Sequence, residues 1–269
     1  MKEYILITKF YNGEAQLPRL IENIRSQTVK PKIFVFLNDG SMDRSAEIVA
    51  QEATKHGLDF RIISMPVKKK GNLDTLGRIW TRAQPLLKGL SKDVEYFATI
   101  DVDTTLAPAY FQYMIDYLER HQSIGVVAGQ AIHEPKRTFP MFTGKVFRSA
   151  ILRKINRYWD ISADSFINVK ALKMGYKLTI LNVPVNTPAT HLHTPKGKYR
   201  SGRLAYYSGT SLLYVLAKGV LKLNAQYLRG YWSEWTRGTW ICTDSEIREY
   251  YGDEFKRRII SFVRRALSL

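Results

Sequence analysis

The stretch that decides the fold covers residues 96–103 and reads Tyr96-Phe97-Ala98-Thr99-Ile100-Asp101-Val102-Asp103. The first five residues predict a buried strand, and two carboxylates follow it one residue apart. An ionised carboxylate is costly to bury unless a partner compensates its charge. Hard cations such as Mg²⁺ and Mn²⁺ prefer oxygen ligands and often bind between carboxylates and substrate phosphates. The stretch therefore predicts a strand that ends at a metal–diphosphate site, with a solvated turn as the alternative.

Strands and helices alternate on both sides of this stretch. Strands are predicted at 4–8, 33–37, 60–64 and 124–128, and helices at 14–28, from Ser41 or Asp43 to 53, at about 73–87 and at 108–120. This alternation is typical of βαβ units and a mostly parallel sheet. Ligands bind beyond the carboxyl ends of the strands in such sheets. The loops at 8–12, 38–41 and 101–103 are therefore expected to converge on one crevice.

Length and composition indicate a folded α/β protein. The chain has 269 residues, enough for one large domain or two small ones, and 45% of them are hydrophobic. Cys242 is the single cysteine, which excludes an intramolecular disulfide and fits a reducing compartment. The first residues lack the apolar region of a signal peptide, and no apolar run reaches about 18 residues. A cytoplasmic location is expected.

The net charge of +17 indicates either an anionic partner or a thermally robust charged surface. Nucleic acid, an anionic membrane surface and phosphorylated small molecules are the candidates. The basic residues are dispersed and no recognised nucleic-acid motif occurs, so nucleic acid is not expected as a partner. The glycine-rich dinucleotide fingerprint, the Walker loop, zinc-type Cys/His spacing and the Gly-x-Ser-x-Gly elbow are also missing from the sequence.

Three segments and the acidic pair together resemble the family 2 glycosyltransferases. The segments are 5–12, 17–28 and 37–43, which follow that family's order of strand, Tyr-Asn loop, helix ending in Ser-Gln-Thr, strand and Asp-Asp-Gly-Ser-x-Asp turn. Residues 100–103 then resemble its Asp-x-Asp. The resemblance covers roughly residues 1 to 195. It implies an α/β fold of the GT-A type, a Rossmann-like, mostly parallel central sheet flanked by helices, with a helical carboxyl-terminal extension.

The resemblance also implies a division of the chain. Residues 1–200 would form the GT-A domain, with a nucleotide-sugar half to about 105 and an acceptor half at about 106–200. Residues 201–269 would form a basic and aromatic helical extension.

A nucleotide-sugar donor is implied at the crevice. Asp39 matches the carboxylate that bonds a pyrimidine base, commonly uracil, although a turn residue bonding its own backbone is the alternative. Tyr11 is the stacking face, Asp101 lies near the ribose, and Asp103 binds the metal, Mn²⁺ or Mg²⁺. Asn38 departs from the usual first Asp of that turn. The expected nucleotide-binding residues are Thr8, Phe10, Tyr11, Asn12, Asp39, Arg78, Asp101 and Val102.

Asp164 is the candidate catalytic base. The family usually has Glu-Asp about a helix's length before Gly-Tyr, and Asp164 lies eleven residues before Gly175. At the first turn of a helix the dipole would favour its ionised form, and a plain helix cap is the alternative. Ala163 replaces the Glu, which puts the orientation of the acceptor in doubt. Asp160 is the fallback base.

A late histidine, His191 or His193, is the second expected metal ligand; alternation on a strand would point both to the same face. Past it, a basic loop is expected to meet the diphosphate or the acceptor, with a solvated loop as the alternative. Its cations are Lys196, Lys198, Arg200 and Arg203.

The last 70 or so residues change in composition. Residues 227–240 hold Tyr231, Trp232, Trp235 and Trp240, which suit a membrane interface, a sugar platform or ordinary helix packing. Residues 255–267 are basic and amphipathic at helical spacing. They predict either an interfacial helix on an anionic membrane surface or a docked helix with its Arg face in water. A peripheral position on the inner face of the membrane is the corresponding expectation.

The function these residues favour is an inverting glycosyl transfer from a nucleoside-diphosphate sugar to an acceptor hydroxyl. A UDP-sugar is favoured and a GDP-sugar is the second option; a lipid-linked or growing glycan is the expected acceptor. Two alternatives remain: a sugar-phosphate nucleotidyltransferase, which releases pyrophosphate, and an inactive relative that binds nucleic acid or membrane.

Overall fold

The computed structural model describes residues 2–67, 76–134, 139–155, 163–189, 194–221, 223–238 and 242–253, and Lys256. Within these ranges the strands are β1 Tyr4–Phe10, β2 Ile33–Asn38, β3 Phe60–Ser64, β4 Tyr96–Asp101, β5 Ile124–Ala131, β6 Lys145–Arg148 and β7 Lys177–Val185. They form one sheet in the order β3-β2-β1-β4-β6-β5-β7. Neighbouring strands run parallel except β6, which is antiparallel to β4 and β5. The predicted mostly parallel sheet is confirmed.

Helices cover both faces of this sheet. In chain order they are α1 Leu17–Arg25, α2 Ser45–Lys55, α3 Leu76–Leu90, α4 Tyr110–Arg120, α5 Ser149–Arg153 and α6 Ala163–Lys173. Side chains of α1, α2 and α4 pack in one core cluster with Leu6, Phe36 and Ala98. Since α3, α5 and α6 contact one another and lie outside that cluster, they cover the opposite face.

The three central strands, β1, β2 and β4, are largely apolar runs because both of their faces are buried. Nearly every residue of β1, β2 and β4 is buried, because each strand has helices above and below it. The amphipathic α1 contributes Leu17, Leu20, Ile21 and Ile24 to one of those layers. This packing fixes where the three strands end, and so where their loops lie.

The chain divides into two compact units, Met1–Ala189 and Thr190–Leu269. In its described part the second unit is helical, with α7 Pro195–Tyr207, α8 Leu212–Leu221, α9 Ala225–Thr236 and α10 Ser245–Gly252. The expected helical extension is therefore present. No described helix is both long and apolar enough to cross a membrane.

The expected basic loop after residue 195 is wrong, because these residues form α7. The Thr194 hydroxyl accepts a hydrogen bond from the Gly197 amide at 3.1 Å, and Pro195 occupies the first turn, where proline is favoured. Packing against α9 stabilises the helix. Four cations thus project from a helix: Lys196, Lys198, Arg200 and Arg203.

Candidate active site

Three polar loops meet at the carboxyl ends of β1, β2 and β4. The strands are adjacent and in register, so that Lys9 pairs with Leu37 on one side and with Asp101 on the other. The expected convergence of the loops at 8–12, 38–41 and 101–103 on one edge therefore follows from the observed strand order.

Side chains tie the first two loops together. The Asn12 amide donates to the Ser41 hydroxyl at 3.0 Å, and the Asn12 side-chain oxygen accepts from the Met42 amide at 2.9 Å. Asn12 adopts a left-handed conformation, φ 49°, which asparagine tolerates better than most residues. The Gly13 amide donates to the Ser45 hydroxyl at 2.8 Å. These bonds hold the loop after β1 against the start of α2.

Asp43 anchors the same junction. Its carboxylate accepts hydrogen bonds from the Ser45 hydroxyl and amide and from the Glu14 amide. Burial would raise the pKa of Asp43, but these hydrogen bonds outweigh it and hold the pKa below its usual value. Of the two residues expected to cap α2, Asp43 bonds the first helical amide, while the N-cap position itself is Arg44, which makes no side-chain cap.

A buried ion pair lies beside this junction. The side chain of Asp39 is fully buried, and one of its carboxylate oxygens lies 3.6 Å from the Lys9 ammonium, which is about a quarter exposed. The Asp39 amide donates to the Phe10 carbonyl at 2.9 Å. Lys9 had no role in the sequence-based prediction. The signal that could have revealed the role of Lys9 is the predicted parallel pairing of β1 and β2. This pairing brings Lys9, the last polar residue of β1, beside the turn after β2.

The Asp101–Asp103 turn is anchored from behind by threonines. The Asp101 amide donates to the Thr143 hydroxyl at 3.1 Å, and the hydroxyls of Thr104 and Thr143 lie 2.7 Å apart. Thr105 and Asn186 form a two-way backbone bridge at 2.8 and 3.2 Å. The turn is thereby fixed, with Asp101 partly buried and Asp103 exposed.

Tyr110 supports the segment that carries Thr143. Its hydroxyl donates to the Gly144 carbonyl at 2.6 Å and accepts from the Gly129 amide at 2.7 Å. Burial raises the pKa of Tyr110, so the hydroxyl stays protonated. Gly144 has φ +67°, and a Cβ there would lie 2.5 Å from the Tyr110 oxygen. A larger residue would therefore displace the support of the acidic turn.

The remaining nucleotide-binding candidates fall into two groups. The side chains of Thr8 and Phe10 are buried; the Thr8 hydroxyl donates to the Ile100 carbonyl at 2.9 Å, and Phe10 packs in the core. Both hold the loop in place from within. Tyr11 is 43% exposed, and the other three candidates are Asn12 and Arg78, which are exposed, and Val102, which is partly buried.

The helix that carries Asp164 lies on the same side of the sheet as Lys9. Alternation along β1 and β4 places Lys9 and Asp101 on the face opposite Leu6 and Ala98, which is the face that α3 and α6 cover. Helix α6 begins at Ala163, so Asp164 is in its first turn as predicted. Its side chain lies outside the described part of the structure.

Several predicted residues also lie outside the described ranges: Asp160, His191 and His193. In the described part no group of three or more His, Cys, Asp or Glu side chains is placed to hold a metal. Of the expected metal ligands, Asp103 is the one that the described residues include.

The fold is that of the GT-A class. Residues 5–169 match the family model described as glycosyl transferase family 2, and the chain belongs to that family.

A curated relative covers only part of the chain. The poly-β-1,6-N-acetyl-D-glucosamine synthase of Staphylococcus epidermidis is 25% identical over 120 residues, which are 44% of this chain and 26% of the relative. The chain thus aligns with about a quarter of that protein's length.

Solved structures resemble the fold over more of its length. The 1–349 part of S. aureus TarS, in complex with UDP-GlcNAc, has a TM-score of 0.56 at 16% identity and covers 86% of this chain and 73% of its own. The mannosyltransferase PcManGT of Pyrobaculum calidifontis, in complex with GDP-Man and Mn²⁺, has a TM-score of 0.56 at 17% identity, covering 76% and 62%. At these identities the likeness establishes the fold.

Proposed function

We propose that this chain is an inverting glycosyltransferase that moves a sugar from a nucleoside-diphosphate sugar to an acceptor hydroxyl. The observation that carries the proposal is the meeting of Asp39, Asp101 and Asp103 at the carboxyl edge of adjacent strands, within a family 2 domain. TarS in complex with UDP-GlcNAc and PcManGT in complex with GDP-Man share the fold. They support a donor of this class. The match of Asp39 to the family's uracil-binding carboxylate is the reason to favour UDP over GDP.

The base and ribose would lie between the first two loops and the acidic turn. Tyr11 offers an exposed ring for stacking. Asp39, whose side chain is buried beside Lys9, is assigned to a base N–H group. Lys9, held beside Asp39, adds a donor for a base carbonyl. Asp101, the register partner of Lys9 on β4, is assigned to the ribose hydroxyls.

The donor set at the acidic turn fits a hard divalent cation. Asp103 presents an exposed carboxylate on a turn that hydrogen bonds hold in place, and carboxylate oxygen is the preferred ligand of Mn²⁺ and Mg²⁺. Asp103 would hold the metal together with His191 or His193. When bound, the metal would neutralise the diphosphate and so stabilise it as a leaving group.

Asp164 is assigned the role of general base, with Asp160 as the fallback. The base takes the proton of the acceptor hydroxyl while the hydroxyl oxygen bonds to the anomeric carbon and the bond to the diphosphate breaks. Attack opposite the leaving group inverts the anomeric configuration. Position in the first turn of α6 favours an ionised carboxylate.

The acceptor and the location form the last part of the proposal. A hydroxyl of a lipid-linked or growing glycan is the proposed acceptor, as the relationship to a polysaccharide synthase suggests. The site of action would be the cytoplasm, at the inner face of the membrane.

A thermal-shift panel of UDP- and GDP-sugars with Mn²⁺ or Mg²⁺ tests this function. A ligand at about 100 times its dissociation constant adds about 2.7 kcal/mol of stability, and Asp103→Ala is expected to remove the metal-dependent part. Product analysis should give the free nucleoside diphosphate. Release of pyrophosphate would instead identify a nucleotidyltransferase, and the absence of any nucleotide-dependent shift would refute the proposed function.

A further inference from the structure

Helices α8 and α9 expose several large apolar side chains to solvent. Leu213 is 63% exposed, Val220 62% and Leu221 84%, and Trp232 and Trp235 are each about half exposed. We call this surface the α8–α9 apolar face, and its members are Leu212, Leu213, Leu216, Val220, Leu221, Leu223, Trp232 and Trp235. Contiguous exposed apolar patches of this kind mark sites of protein or membrane interaction.

A groove between the two helices continues this face. It has a volume of about 460 Å³, and its lining includes Leu212, Leu216 and Trp232 of the face together with Val215 and Leu228. Nearly all of its wall is apolar, so it is suited to hydrocarbon. The face and the groove therefore form one continuous apolar surface.

The charged residues that α7, α8 and α9 carry before Glu234 are all basic. The sequence contains no Asp or Glu from residue 165 to residue 233, a stretch that includes all of α7 and α8 and most of α9. The Lys218 ammonium lies 4.5 Å from the centre of the Tyr227 ring, and Arg229 lines the groove. Glu234, the first acidic residue after the stretch, is buried and lies 2.5 Å from Arg203. A surface with these charges attracts an anionic partner.

We propose that the α8–α9 apolar face docks on the surface of an anionic lipid bilayer. Leucine and valine side chains would enter the boundary between headgroups and acyl chains, Trp232 and Trp235 would lie at headgroup level, and Lys218 and Arg229 would meet lipid phosphates. A second copy is disfavoured as the occupant, because two such faces would bring cations of the same sign together. The proposal does not depend on the glycosyltransferase activity.

Co-sedimentation of the full chain with vesicles tests the proposal. We expect the chain to bind vesicles of phosphatidylcholine that also contain phosphatidylglycerol. Binding to vesicles of phosphatidylcholine alone should be much weaker. Val220→Glu and Leu213→Glu, both at exposed positions, should each weaken binding about tenfold or more. The matched control is Val67→Glu, the same substitution at 60% exposure in the other unit, which should bind like the unchanged chain.

Three outcomes would overturn the proposal. The first is that the chain without substitutions does not bind anionic vesicles, and the second is that Val220→Glu binds them as tightly as Val67→Glu does. The third outcome is that the chain binds no vesicles but forms a dimer, which Val220→Glu dissociates. The last would assign the face to a second copy. Because Val220→Glu leaves the first unit untouched, its thermal shift with nucleotide sugar should be retained, which separates failure of membrane docking from failure of the proposed activity.

Discussion

Lys9 stabilises the buried charge of Asp39 in the proposed nucleotide site. A fully buried carboxylate is costly unless opposite charge or hydrogen bonds compensate it, and the Lys9 ammonium supplies charge at 3.6 Å. Lys9 keeps about a quarter of its side chain exposed, so part of it remains accessible to a ligand. The same ion pair therefore both stabilises the β1–β2 edge and supplies polar groups to the proposed nucleotide site.

Lys9→Met should destabilise the protein by about 1–3 kcal/mol, because it removes the cation next to a buried charged group. Urea unfolding measures the loss. Lys32→Met, which removes an exposed lysine paired with Glu3 at 2.7 Å, is the matched control and should cost much less, because exposed ion pairs contribute little. The double variant Lys9→Met/Asp39→Asn should recover part of the loss; purely additive effects would contradict coupling between the two residues.

Asp43 gives the junction of the first two loops a dependence on pH. Its pKa is lowered in the folded protein, so its contribution to stability is present above the ordinary carboxyl pKa of about 3.9 and is lost as the pH falls through the lowered value. Asp43→Asn should therefore be less stable than the unchanged protein at neutral pH. The gap should close in strong acid. Unfolding curves across that range measure it, and a gap independent of pH would contradict the assignment.

Asp164→Asn should reduce turnover by about 10²–10⁴-fold with little change in donor affinity, because a positioned base acts on the acceptor proton in the transition state. Steady-state kinetics with a reactive donor identified in the panel provide the measurement. Asp160→Asn is the parallel variant. If the large loss follows Asp160 and not Asp164, the fallback takes the role.

At the scale of elements, two glycines allow α7 and α9 to meet backbone to backbone. A Cβ on Gly202 would lie 1.9 Å from the Tyr227 carbonyl oxygen, and one on Gly230 would lie 2.0 Å from that of Tyr199. Neither approach leaves room for a methyl group. This contact helps to explain why residues 195–207 form a helix although their composition is that of a loop.

Gly202→Ala should destabilise the second unit by about 1–3 kcal/mol, because overpacking forces the two helices apart. Gly89→Ala is the matched control. It lies in α3 with nothing within 4 Å of its would-be Cβ, and should stabilise by up to about 1 kcal/mol. Guanidinium unfolding followed by tryptophan fluorescence compares the two. A stabilising Gly202→Ala would contradict the close packing.

The local sequence pattern predicted the central strands, which are packed between helices on both faces of the sheet. Strands β1, β2, β4 and β5 are largely apolar runs closed by turn residues, and both features can be read from the chain. Strand β3 was also predicted, although it is only partly buried. Strand β6 was missed because it has only four residues and begins with Lys145, a charged residue that is nonetheless fully buried beside Thr99. Helix α7 was missed for the reason just given, a contact with a distant helix.

The candidate site was predictable to the same degree. Asp39 directly follows β2, Asp101 ends β4 and Asp103 lies in the turn after β4, so their positions follow from the topology. Lys9 and Thr143 act through partners that only the folded sheet brings near, and Thr143 lies on a segment without a recognisable pattern. The sequence thus indicated which loops converge but not what anchors them.

At the scale of the whole molecule, the net charge of +17 should make membrane association depend on salt. The Debye length shrinks from about 10 Å at 0.1 M to about 3 Å at 1 M, which screens cations from lipid phosphates but leaves apolar insertion intact. Vesicle affinity should fall as sodium chloride rises and then level off above zero. Co-sedimentation over a salt series measures this, and binding insensitive to salt would exclude a contribution from the charge.

The backbone bridge between Thr105 and Asn186 sets an order in which the crevice can assemble during synthesis. Because the amino-terminal part of a chain emerges first, the β1–β2 edge with Lys9 and Asp39 has its partners early. The turn that carries Asp103 needs Thr143 and then Asn186, which emerge later. A nascent chain stopped before residue 186 would thus have one wall of the crevice complete while the acidic wall still lacked its last anchor.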